Sequence, residues 1–200
     1  MDGKATIMDV GCGNGNTMAV LLERHPDQRF IGIEKSQALR ALALSRFQNH
    51  PEAKILEGDI RDANFAANDT VDILICQRVL INLLSIEDQR TALSNIISTV
   101  KSPKNRRAGG TLLFLESFGG PLPDDFFGDP RLLPLRTDGL RISENFLSTH
   151  YYVSRVLHAH YTQDRPFKRN SEFVRFFSSA LNQNVGDYSP LKLFMFEKRD

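Results

Sequence analysis

Short apolar runs alternate with segments in which apolar residues recur every three or four positions, and this alternation predicts the architecture. The runs over 5–10 (ATIMDV), 29–34 (RFIGIE), 54–57 (KILE), 71–76 (VDILIC) and 110–116 (GTLLFLE) have the length of strands. Between the first two, 17–24 reads as a helix closed by His25 and Pro26. Ser36 then caps a helix that carries Leu39, Leu42, Ala43 and Phe47 on one face. Ser85 and Asp88 have the spacing of a capping box, and Leu93, Ile96, Ile97 and Val100 behind them predict a helix to about Val100. Five strands separated by helices imply right-handed crossovers, so the expected fold class is α/β, a parallel sheet with helices on both faces.

The rhythm breaks after Phe118. Residues 119–134 are rich in Pro, Gly and Asp and are expected to cover the carboxyl edge of the sheet, where open α/β folds bind their substrates. A sixth strand is expected over 140–148 and a helix over 151–160. Phe173, Phe176, Phe177, Ala180 and Leu181 mark a further amphipathic helix, and 190–197 supplies a last strand.

Composition narrows the class. A chain of 200 residues, 41% hydrophobic and 24% charged, suits one well-cored domain. A net charge of +1 gives no general attraction to nucleic acid or anionic membranes. No apolar run approaches bilayer length and the first residues lack a signal-peptide pattern, so a cytoplasmic protein is expected. The two cysteines, Cys12 and Cys76, make no disulfide framework and have no metal-ligand spacing. Each ends a strand-like run, so either both lie near one site or both are buried as small apolar residues.

Candidate chemistry gathers at IMDVGCGNGN, positions 7–16. An apolar run containing Asp9 gives way to Gly11, Gly13 and Gly15, and a helix-compatible segment follows at Thr17. Glycine tolerates positive φ and lets backbone pass close to a ligand, while the following helix aims its unpaired N–H groups over the turn. A dinucleotide fingerprint requires a third glycine at position 16, which is Asn16. Asp9 is awkward beside a pyrophosphate and welcome beside a cationic ligand.

These residues resemble the class I S-adenosylmethionine-dependent methyltransferases. The likeness includes the turn Asp9 to Gly15, the acid Glu34 ending the second strand and Gly58, Asp59 and Ile60 after the third. It continues through the fourth strand running into Gln77 and the pair Gly109 and Gly110 before the fifth. The resemblance implies a single Rossmann-like domain over 1–200, with a mostly parallel seven-stranded sheet and an antiparallel strand near its C-terminal edge. It implies S-adenosyl-L-methionine as cofactor, leaving S-adenosyl-L-homocysteine as product. Asp9 and the backbone of Gly11, Cys12, Gly13 and Gly15 would hold the methionine and ribose portion. Glu34 would accept from both ribose hydroxyls, Asp59 from the adenine amino group, and Ile60 would pack on the ring. Cys76 and Gln77 would line the methyl-donor end. No metal is implied.

QRVLINLLSIEDQR, YYVSR and GDYSPLKLF are similar to a bacterial subgroup acting on small molecules or glycans. They draw attention to Arg78 and Asn82, which either orient a substrate or, respectively, pair with a surface acid and cap a turn. His150 and His158 are the candidate bases, with packing or surface roles as the alternative. Phe126 and Phe127 form a lid or an anchor, and the basic stretch 101–107 touches phosphates or is a solvated turn. The first strand begins almost at Met1, so the N-terminal lid segment usual in the family is expected to be short or absent. The expected reaction is methyl transfer to oxygen or nitrogen of a small metabolite or sugar. An RNA methyltransferase, a non-catalytic binding module and, more distantly, an NAD-dependent oxidoreductase are the rivals. The expected partner is a small-molecule substrate, with nucleic acid disfavoured, no membrane, and the oligomeric state open, a homodimer included.

Overall fold

Seven strands in the order β3-β2-β1-β4-β5-β7-β6 make one sheet. The computed structural model describes residues 3–83, 85–103, 108–117, 129–137 and 191–199. In chain order the elements are β1 (Thr6–Val10), α1 (Asn16–Arg24), β2 (Arg29–Glu34), α2 (Gln37–Phe47), β3 (Ala53–Glu57) and β4 (Ile73–Gln77). A 3-10 turn (Leu80–Asn82), α3 (Ile86–Thr99), β5 (Thr111–Ser117), β6 (Leu132–Thr137) and β7 (Leu191–Lys198) follow. The first five strands are parallel, and β7 runs antiparallel between β5 and β6.

Period-2 alternation along the strands divides the core between the two faces. Ile7, Phe30 and Ile75 pack with Met18 and Leu22 of α1 and Phe47 of α2. Met8, Val10, Ile33, Leu74 and Cys76 pack with Leu93, Ile96 and Ile97 of α3. Each such large apolar side chain contributes roughly 1.5 to 3 kcal/mol by leaving water. The far end of α3 is held by Lys198, a buried lysine whose Nζ donates to Val100 O at 2.6 Å.

Two expectations need correction. The edge strand is Leu132–Thr137, which begins within the last three residues of the stretch 119–134 expected to be covering loop, whereas the expected strand at 140–148 lies outside the described residues. Pro134 misleads because proline donates no ladder hydrogen bond. It is tolerated here because β6 ends the sheet and its register shifts between Pro134 and Arg136. The capping box is only half made. Asp88 N donates to Ser85 Oγ at 3.2 Å, but the Asp88 carboxylate turns to Arg61 Nη1 at 2.9 Å instead of reaching back. The helices expected over 151–160 and around Phe173 lie outside the described residues, as do Phe126 and Phe127. Of the basic stretch, Lys101 is paired with Asp72 at 2.7 Å.

Candidate cofactor and substrate site

The glycine turn hangs from the end of β2, with Gly11 N and Cys12 N both donating to Ile33 O, at 2.7 and 3.1 Å. All three glycines have positive φ: 69° at Gly11, 58° at Gly13 and 79° at Gly15. Their surroundings separate their roles. A Cβ at Gly11 would run into Val79, and one at Gly15 into the Phe47 ring, so these two positions permit close packing. Over Gly13 the space is open. Gly15 caps α1 in the left-handed region and contributes no side-chain hydrogen bond, while the first N–H of that helix, Asn16 N, donates to Asn14 Oδ1 at 3.3 Å.

Two buried acids lie beside the turn. Glu34, 8% exposed, accepts from Gly13 N on Oε2 at 2.8 Å and from Ser36 N on Oε1 at 2.7 Å. A carboxylate offers about four lone-pair sites, so both oxygens keep one for a further donor. Asp9, 3% exposed at the end of β1, has no hydrogen-bond donor among the described residues. Burial, and after it the Glu34 charge, push its carboxyl up to about 7. A buried acid pair without a cation is poised to receive one.

Other expected site residues divide. Cys12 offers only its backbone. Its thiol packs against Gly32 and Met18 and is pushed up to about 12, by burial first and then by Asp9 and Glu34, so it is unreactive. Cys76 is wholly buried in the core on the opposite face of the sheet, so the two thiols do not share a site. Gln77 accepts from Thr17 Oγ1 at 3.1 Å, which brings the end of β4 against the first turn of α1. Ile60 is buried in the α3-side core.

Asp59 is more heavily engaged than the sequence suggested. Arg61 N and Nε reach Oδ1 at 3.1 and 3.0 Å, while Arg61 Nη2 and Lys35 Nζ reach Oδ2 at 2.6 and 2.9 Å. The hydrogen bonds from Arg61, and after them the one from Lys35, hold its carboxyl well below the usual range, against the upward pull of burial. Its four lone-pair sites are taken, so an adenine amino group reaches it only in place of the exposed Lys35. Arg61, Lys35 and Thr17 were not singled out from the sequence. A basic residue two positions past Asp59 is the one signal available.

Arg78 follows β4 with φ at 55°, in the left-handed region. Such a backbone costs a long side chain about 1 kcal/mol or more. Arg78 N donates to Leu115 O at 2.8 Å, and Asn82 Nδ2 donates to Arg78 O at 2.6 Å. Asn82 therefore braces this turn. The Arg78 side chain is exposed and has no ion pair among the described residues. His150 and His158 lie outside the described residues. Among the described residues no cluster of His, Cys, Asp and Glu is arranged to hold a metal, and no helix is long and apolar enough to cross a membrane.

Residues 7–103, from β1 through α3, match the family model of a methyltransferase domain. Over this stretch, just under half of its length, the chain carries a methyltransferase domain. The trans-aconitate 2-methyltransferase of Acidovorax sp. (strain JS42) is 43% identical over 56 residues, 28% of this chain and 20% of that protein. The enzyme of the same name from Azoarcus sp. (strain BH72) is 30% identical over 112 residues, 56% of this chain and 39% of that protein. The match thus spans less than half the length of these relatives. The N-methyltransferase NodS from Bradyrhizobium japonicum WM9 shares the fold, with a TM-score of 0.60 at 14% identity over 98% of this chain and 86% of that one. S-adenosylmethionine is the cofactor of this methyltransferase family, and the residues present fit it: open space over Gly13, spare acceptor sites on Glu34 and an Asp9 without a donor among the described residues.

Proposed function

We propose that the chain transfers the methyl group of S-adenosylmethionine to an oxygen or nitrogen of a small molecule. One observation carries the reading: the space over Gly13 is open, the buried Glu34 that holds Gly13 N keeps spare acceptor sites, and the buried Asp9, within reach of the Glu34 charge, has no donor among the described residues. Glu34 suits a pair of ribose hydroxyls because each of its oxygens keeps a free lone pair. Asp9 suits the positive charge of the methionine portion. The backbone of Gly11 to Gly15 cradles that portion, with Cys12 acting only through its peptide groups. Lys35 yields to the adenine at Asp59, and Ile60 supports the ring from below. The end of β4, through the Cys76 backbone and the Gln77 side chain, lines the methyl-donor end.

When bound, the cofactor supplies an electrophilic methyl group on a sulfonium. The protein's share is alignment and exclusion of water, because an in-line displacement needs its nucleophile about 3 Å from the methyl carbon. A neutral hydroxyl acceptor also needs a base, for which His150 and His158 are the candidates. A small-molecule acceptor is favoured by the relatives, whose names specify trans-aconitate as theirs.

The test is incorporation of labelled methyl from S-adenosylmethionine into separated pools of small acids, small amines, sugars and RNA. Label is expected in a small-molecule pool. Label in RNA alone would overturn the reading.

A further inference from the structure

β1 has β2 on one side and β4 on the other, so the sheet's order reverses at the β1–β4 junction, the crevice where open α/β folds bind ligands. The glycine turn leaves β1 on one side of that crevice. Arg78 leaves β4 on the other. Its neighbours already touch the site: Gln77 meets Thr17 of α1, and Val79 sits where a Cβ on Gly11 would go.

Stability does not account for an arginine here. At a φ of 55° glycine is the unstrained choice, and no acid among the described residues rewards the charge. Arg40, Arg61 and Arg131 are, by contrast, each spent on a carboxylate: Glu57 at 2.8 Å, Asp59 at 2.6 Å and Asp129 at 2.7 Å. The unusual turn is braced at both ends, by Leu115 O on the Arg78 N–H and by Asn82 Nδ2 on the Arg78 carbonyl. What remains is an exposed side chain that leaves the end of β4 beside the crevice and has no ion-pair partner among the described residues.

We propose that Arg78 reads the acceptor, gripping one carboxylate of a small organic acid that carries at least two, so that another carboxylate receives the methyl group. The proposal rests on the methyltransferase reading. A planar guanidinium binds a carboxylate through two parallel hydrogen bonds and so fixes orientation as well as charge. The gripped carboxylate is not the reacting one, because the two charged hydrogen bonds draw off its charge, make it a poorer nucleophile and hold its oxygens toward the guanidinium. In the step itself an oxygen lone pair of the free carboxylate forms the new C–O bond as the C–S bond breaks, and that bonding pair stays on sulfur. No proton moves, so this acceptor class needs no general base. Asn82 is a positioning residue that acts through Arg78.

The test uses the full chain with trans-aconitate, other small di- and tricarboxylic acids, matched monocarboxylic acids and small amines as acceptors. For Arg78→Gly we expect an unchanged or higher melting temperature, wild-type S-adenosylmethionine affinity, and a loss of roughly 10- to 150-fold in kcat/KM on polyacids, carried by KM. Arg78→Lys should restore part of it, and Asn82→Ala should raise KM less while leaving cofactor affinity alone. Methylation of amines but not polyacids, or an Arg78→Gly variant that melts lower with unchanged KM, would overturn the proposal and leave the methyltransferase reading intact. Failure of wild type to bind S-adenosylmethionine would instead remove both.

Discussion

Glu34→Ala is expected to weaken S-adenosylmethionine binding by about 1.5 to 3 kcal/mol, roughly 10- to 150-fold. Two losses combine in that figure. The ribose hydroxyls lose a charged acceptor, and Gly13 N and Ser36 N lose the carboxylate that orders the turn around the ligand. Glu34→Gln separates them. Its single amide oxygen can keep one backbone N–H, while the NH2 group faces the other donor, so a smaller but clear loss is expected. The measurement is titration calorimetry on all three proteins with the methyl donor. Unchanged affinity in Glu34→Ala would remove Glu34 from the cofactor site.

The second large effect is a pH dependence set by Asp9. Its carboxyl is raised from 3.8 to about 7, chiefly by burial and then by Glu34. The native chain therefore holds a proton where the unfolded chain has lost it. The resulting contribution to stability is complete below about pH 4 and is lost as the pH rises through about 7. The full swing is on the order of 4 kcal/mol. Ligand affinity should run the opposite way. A cationic ligand prefers the ionised carboxylate, so binding should strengthen about tenfold between about pH 6 and about pH 8 and release a proton in the acidic range. Asp9→Asn should flatten both curves, raising the melting temperature at about pH 8 while weakening binding there. Thermal melts and calorimetry across pH in two buffers of different ionisation enthalpy read all of this. A variant that loses both stability and affinity at about pH 8 would show that Asp9 is not an uncompensated buried charge.

Much of this site is local in sequence, which is why it could be read from the chain. Asp9, the three glycines and Glu34 all lie at strand ends, and strand ends of a parallel sheet converge on one edge. The helix α3 was equally plain, because Leu93, Ile96 and Ile97 have an unbroken helical period. Features decided by tertiary contact were not legible. The face to which each thiol turns depends on strand parity for Cys76 but on the path of the turn for Cys12. Saturation of Asp59 depends on the side chains of Lys35 and Arg61 arriving from different loops. The left-handed backbone of Arg78 is invisible in a residue type that rarely adopts it, and the edge strand β6 hides behind Pro134.

Titration of S-adenosylmethionine, S-adenosylhomocysteine and NAD into the chain at about pH 8 decides whether the glycine turn is an adenosyl site. Saturable binding of both adenosyl ligands, with none for NAD, is the expected result. Binding of NAD, or failure of both adenosyl ligands to bind, would contradict it.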